Sequence, residues 1–307
     1  MTDPNPTRLD RRRWLLGVLL GGCAGRATPA QAEDEVAALQ AHAQKAGLGP
    51  FRVSETEHYL GIGDAPETYR TEALVLCKEL ATTYQKYFAD KGFPFAFPAR
   101  RLTVVALASQ RSYAKFLGED PGLVVGGHFD IESNRLVIFD FRPDAAKLGA
   151  RAKRINTLTL VHEAIHQLSF NTGMLDRAGD VPALLSEGIA MYGELWTRDD
   201  PTFGRVQEGR LKVFEAGGEW LPVERLWTED ALFEEPATRD RAYAESWALV
   251  FTILKSRTLT KKLRAYLDAI RLRRDPTRRR ADAEAHFGNL DALDRDLRAT
   301  VRRLIGA

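Results

Sequence analysis

The sequence predicts an α+β protein, with a mixed sheet and a long helix in a first lobe and helices alone in a second. Three observations lead there. Short runs that read as strands, bounded by Gly, Pro and polar residues, fall between positions 51 and 140. From Ile155 onward apolar residues recur at helical spacing. Strands segregated ahead of helices, without βαβ alternation, belong to the α+β class. With 307 residues, 44% of them hydrophobic and 28% charged, the chain is large enough for a substantial core. Folded residues are expected over 51–307, divided into 51–173 and 174–307 as two lobes around a cleft.

Phe51–Ser54 and His58–Ile62 read as short strands, joined as a hairpin or as one interrupted strand. Pro66 opens a helix to about Ala89, on which Leu74, Cys77, Leu80, Ala81, Tyr84 and Phe88 share a face. Gly92, Pro94 and Pro98 break it. Leu102–Leu107 is a β-branched strand, and Ser109 caps a short helix through Phe116. Val124–Ile131 and Arg135–Asp140 form an antiparallel hairpin across Glu132-Ser133-Asn134, expected at the sheet edge. A helix over Ile155–Phe170 ends at Asn171-Thr172-Gly173. Asp180-Val181-Pro182 opens the next, which runs to about Trp196. Further helices are expected over 204–215, 239–256, 258–273 and 289–304.

The first 32 residues follow other rules. Arg8, Arg11, Arg12 and Arg13 precede the apolar run Trp14–Leu20, and Ala30-Gln31-Ala32 supplies a small-residue exit. These are the three parts of a secretory signal. The apolar run is far shorter than the roughly 20 residues a membrane span needs. Arg11-Arg12-Arg13-Trp14-Leu15 resembles a twin-arginine signal, and Leu20-Gly21-Gly22-Cys23 a weak lipobox. Residues 1–32 are expected to be removed, leaving 33–50 as a linker or N-terminal helix on a periplasmic or secreted protein. Membrane attachment follows only if Cys23 is lipidated.

That cut takes away five Arg and two Asp, so the formal charge moves from +2 to −1. A near-neutral protein has no electrostatic footprint for nucleic acid, and the run Arg271–Arg280 reads as a solvated surface offset by neighbouring acids. Cys23 and Cys77 are the two cysteines. Cys77, on an apolar helix face, reads as a buried thiol, and no disulfide framework holds the fold.

Residues 162–166 read His-Glu-Ala-Ile-His. At about 100° per residue, His166 lies some 40° round the helix from His162 and one turn on, so both imidazoles reach one ion. Glu163 shares that edge. Leu158, Val161, Ile165 and Leu168 occupy an adjoining stripe that packs the helix. A catalytic zinc has three protein ligands and an open position. Glu187, in Leu184-Leu185-Ser186-Glu187-Gly188-Ile189-Ala190, follows His166 by 21 positions, on a helix that can return opposite the histidines. Glu194 lies about 10 Å further along that helix, too far for the same ion. Gly188 and Ala190 would let the two helices approach closely.

The run Val161–Leu168 followed by Pro182–Ala190 resembles the gluzincin metallopeptidases, and more narrowly the peptidase MA-like family of bacterial exported proteins. Gly126-Gly127-His128-Phe129-Asp130 with Arg135–Asp140 resembles that family's hairpin before the zinc helix, and Tyr243–Leu249 its downstream helix. The resemblance implies a zincin-like fold, Zn2+ held by His162, His166 and Glu187, and Glu163 as the base. Many gluzincins carry an acid four residues after the ligand glutamate, where this chain has Met191. Related metallopeptidases often use a downstream tyrosine or histidine to stabilise the oxyanion, which makes Tyr243 the candidate here. His128, beside the edge strand, is expected to be an ordinary partly buried or exposed histidine, with substrate contact as the alternative; His42, His58 and His286 are expected to be structural, and Trp196 and Trp247 to lie in the core. The expected function is an exported zinc metallopeptidase acting on a peptide or protein. The competing readings are an envelope protein that uses zinc only to brace a peptide-binding fold, and a hydrolase of amide bonds outside proteins.

Overall fold

A computed structural model describes residues 29–119, 126–144 and 151–306. The signal features up to residue 28, Cys23 among them, lie outside the described residues, as do positions 124 and 125 of the expected hairpin. Among the described residues no helix is long and apolar enough to cross a membrane. The fold is α+β with one mixed five-stranded sheet. Contacts divide the chain into two compact units, one comprising residues up to Glu79 with Phe97–Gln167, the other Leu80–Ala96 with Leu168–Ala307. The sequence suggests a division at Gly173. The contacts divide the chain after Gln167 and add 80–96 to the helical unit.

The first unit holds the strands β1 (Arg52–Glu55), β2 (Tyr59–Gly63), β3 (Leu102–Leu107), β4 (Gly127–Asp130) and β5 (Arg135–Phe139) in the order β1-β2-β3-β5-β4. β1 and β2 form a hairpin, one of the two arrangements expected, with Arg52 opposite Gly63. β2, β3 and β5 run parallel, and β4 returns antiparallel as an edge, with Phe129 opposite Leu136. All six residues of β3 are buried, the pattern of a central strand covered on both faces. Helix α1 (Pro29–Lys45) and helix α3 (Gln110–Leu117) contribute Leu39, Ala43 and Tyr113 to a core with Ile62, Val105, Leu107, Val137 and Phe139. Glu35 on α1 grips Arg135 on β5 through two hydrogen bonds of 2.9 Å. Ser109 caps α3 as its sequence predicts, accepting from the Ser112 amide. At the β4–β5 turn Asn134 adopts φ 60°, and the Asp130 carboxylate accepts from the Glu132 and Ser133 amides. Cys77 is fully buried on α2 (Glu67–Asp90), where burial pushes its thiol up to about 12.

Helix α4 (Arg151–Asn171) carries the His-Glu-Ala-Ile-His motif. Val161, Ile165 and Leu168 are fully buried and Leu158 is half-buried, so three of the four residues of the apolar stripe pack as their spacing predicts. Gln167, also fully buried, donates to the Thr103 carbonyl on β3 at 2.9 Å, tying this helix to the sheet.

The second unit contains α5 (Ala183–Gly193), α6 (Glu208–Glu215), α7 (Val223–Thr228), α8 (Arg239–Lys255), α9 (Arg257–Ile270), α10 (Arg279–Phe287) and α11 (Leu290–Ile305). α7 and α10 are absent from the sequence-based reading. α5 ends at Gly193 and α9 at Ile270, each three residues short of expectation, because backbone turns close there from Trp196 to Gly193 and from Arg273 to Ile270. Trp196 (2% exposed), Trp227 and Trp247 lie in the core, and the Trp227 indole donates to the Tyr266 hydroxyl at 2.9 Å. One arginine of the 271–280 run departs from a solvated surface: Arg279 is 7% exposed and ion-paired to Asp180 and Asp230.

Candidate metal centre

Among the described residues, one group of three metal-capable side chains brings its donor atoms together: those of His162, His166 and Glu187 lie within 4.8 Å of one another. Both histidines stand on α4, one turn apart, and Glu187 on α5. His162 is half-buried, while His166 and Glu187 are 8% and 6% exposed. The two imidazole Nε2 atoms are 3.2 Å apart. A tetrahedral ion with metal–nitrogen bonds of about 2.0–2.1 Å would set them about 3.3 Å apart, so the spacing suits one shared cation. Two imidazoles and a carboxyl side chain form a donor set of borderline softness, suited to zinc.

Glu163 stands beside them on α4, half-buried, and its Oε2 accepts from the Phe129 backbone amide at 2.8 Å. Phe129 belongs to the edge strand β4. An N–H aimed away from the neighbouring strand is what an antiparallel edge leaves over at alternate residues. Two glycines make this approach possible. A Cβ on Gly126 would fall 2.5 Å from the Thr159 hydroxyl, and one on Gly127 would fall 3.1 Å from the Thr159 methyl. Thr159 precedes Glu163 by one turn, so any larger residue would push β4 away from the helix edge that carries the carboxylate.

Other candidates have clear neighbours. Tyr243, in the first turns of α8, sets its ring edge-on to Phe233 with centroids 5.3 Å apart and beneath the Arg210 guanidinium. His128 points to the opposite face of β4 from Phe129, and its Nδ1 meets the Tyr113 hydroxyl at 2.7 Å. His42 contacts the Phe116 carbonyl, His58 stacks on Phe97, and His286 lies edge-on to Tyr266, as structural histidines do. Met191 is buried. Gly188 differs from expectation. Its missing side chain makes room for α8, where a Cβ would meet Val250 at 2.5 Å and the Ser246 carbonyl at 2.7 Å. Sequence reasoning missed two features near α5: Asp230, whose carboxylate accepts from the Ala183 amide at 3.0 Å, and Arg279. The i, i+4 spacing of Arg279, Ala283 and Phe287 was the available signal for α10.

Fold and side chains together define an α+β protein with a candidate three-residue metal centre. Residues 156–276 match the profile of a family described as a protein of unknown function, DUF1570. The matched stretch contains the whole motif, Glu187 and Tyr243, and begins after the last strand. A comparison with curated proteins gives no match.

Proposed function

We propose that the chain is an exported zinc metallopeptidase of the gluzincin type, with a zincin-like fold, acting on a peptide or protein substrate. The observation that carries this reading is the gathering of three donor side chains beside a fourth group, Glu163, that is no part of the ligand set. A site that only braces a fold has no use for a carboxylate held at its rim by a backbone amide.

Zinc, when bound, would acidify a water molecule and polarise the scissile carbonyl. Glu163 accepts the proton of an attacking water as the water oxygen forms the new bond to the carbonyl carbon. The same carboxyl delivers the proton to the amide nitrogen as the C–N bond breaks. The Phe129 amide aims the carboxylate without consuming its second oxygen. β4 is the last strand of the sheet, and an extended peptide laid along its edge gains backbone hydrogen bonds independent of sequence. Tyr243 is the proposed donor to the carbonyl oxygen. The near-neutral charge supports no nucleic-acid partner, and the membrane enters only through lipidation of Cys23.

The test is Glu163→Gln, which keeps an oxygen for the Phe129 amide but holds no proton in transit. Digestion of a peptide library is expected to slow by about 10²- to 10⁴-fold. Zinc content per chain should not change. Peptidase activity surviving in the variant would refute the mechanism, and a wild type that binds zinc yet cleaves nothing would favour the zinc-braced binding protein.

A further inference from the structure

The segment leading into α5 is fastened at several points, and all of them lie within about one turn of the ligand helix. α5 starts after Pro182, whose side chain offers no acceptor to the exposed amides of the first turn. The Ala183 amide instead donates to Asp230, 47 positions away. Asp180, in the approach loop, donates its amide to the Arg273 carbonyl at 2.5 Å. Gly179 lies so close to that segment that a Cβ would fall 2.7 Å from the Arg271 carbonyl oxygen and 2.9 Å from that of Ile270. Between the two carboxylates sits Arg279. Its Nε and Nη2 donate to Asp180 at 2.7 and 2.5 Å, and its Nη1 and Nη2 to Asp230 at 2.8 and 2.9 Å. One buried guanidinium thus makes two forked pairs, a geometry that lysine's single ammonium cannot copy.

We infer that Arg279 is a positioning residue for the metal ligand Glu187, holding the first turn of α5 in place through Asp180 and Asp230. The inference rests on the metal-centre reading. Glu187 follows Ala183 by four residues, about 6 Å along a stiff helix, so displacement of the first turn is passed on to its carboxylate. Metal bonds tolerate errors of only about 0.2 Å. Without the guanidinium, Asp180 and Asp230 become two repelling carboxylates, and the cap on the Ala183 amide is lost as they part.

The experiment measures zinc affinity of the metal-stripped full chain by competition with a chelating dye, alongside its thermal unfolding. The variants are Arg279→Met, Arg279→Lys, Asp230→Asn and, as a control for general loosening, the core substitution Leu297→Ala on α11. Loss of a direct outer partner of a metal ligand weakens binding about 10- to 100-fold, and Arg279→Met, which acts through the first turn of α5, is expected to weaken it by about the lower of these factors. Arg279→Lys and Asp230→Asn, each keeping part of the clasp, should fall between it and the wild type. Leu297→Ala should lower the unfolding temperature yet leave zinc affinity unchanged. Should Arg279→Met not fold, the same ordering of Arg279→Lys and Asp230→Asn against Leu297→Ala decides. Wild-type affinity in the clasp variants, or an equal loss in Leu297→Ala, overturns the inference. A wild type that binds no zinc overturns the metal-centre reading itself.

Discussion

Glu187 and Glu245 both belong to the helical unit, 6% and 0% exposed, and their surroundings treat their charge differently. Glu187 gathers with two imidazoles, a setting in which a cation repays the cost of burying a carboxylate. Removing it deletes a ligand outright. Glu187→Ala should therefore weaken zinc binding by more than the roughly 10- to 100-fold that loss of an outer partner costs, measured by the same dye competition. Glu245 is held otherwise. Burial pushes its carboxyl up to about 8, although the Leu221 amide, Arg241 and Arg298 pull the other way. A carboxyl whose folded value exceeds its ordinary 4.5 keeps its proton when folded after the unfolded chain has released it. The contribution of this group to stability is then fully present below about 4.5, falls as the pH rises, and is lost above about 8. Glu245→Gln should flatten that slope and stabilise the protein at pH 8 by on the order of 2 kcal/mol. Urea denaturation at pH 5 and pH 8 checks it; an unchanged slope would show that Glu245 is not the group responsible.

At the scale of elements, two glycines decide how close a helix may come. Gly188 lies next to Glu187, and a side chain there would overlap Val250 and the Ser246 carbonyl of α8. Gly188→Val should cost about 1–3 kcal/mol, the usual penalty of an overpacked core, read from chemical denaturation. Gly126→Val acts on β4 in the first unit. By forcing β4 off Thr159 it should break the Phe129–Glu163 hydrogen bond and lower turnover while zinc content stays at the wild-type level. Loss of zinc in that variant would contradict the separation of base and ligand set. The sequence pointed to Gly188, and not to Gly126, as a place of close approach, and it expected the motif helix there, whereas the atoms a side chain would meet belong to α8. A small residue in a helix says that something comes near; which helix comes near depends on contacts 58 to 62 positions away, to Ser246 and Val250.

Over the whole molecule, a cation that binds only the folded chain stabilises it by mass action. At a free zinc concentration about 100 times the dissociation constant, the gain is about 2.7 kcal/mol. The unfolding temperature should rise with zinc and fall on dialysis against a chelator, and it should do neither in Glu187→Ala. A zinc response that survives Glu187→Ala would place the binding elsewhere. No disulfide competes with this effect among the described residues, where Cys77 is free and buried.

The sequence alone determined what depends on neighbours in the chain. The spacing of His162, Glu163 and His166 on one helix edge, the buried stripe through Val161, Ile165 and Leu168, the Ser109 cap and the hairpin turn before Asn134 are consequences of helical and strand periods, which local residues set. Long-range pairing was left to the tertiary structure. The hairpin was expected at a sheet edge, but only in the tertiary structure does the order β1-β2-β3-β5-β4 bring Phe129 within reach of Glu163, and only there does Asp230 cap a helix 47 positions upstream. Burial turned Arg279 from one member of a basic run into the centre of two ion pairs. Local sequence fixes the direction in which a side chain leaves its element, but the energy of a charge depends on what the distant chain sets beside it.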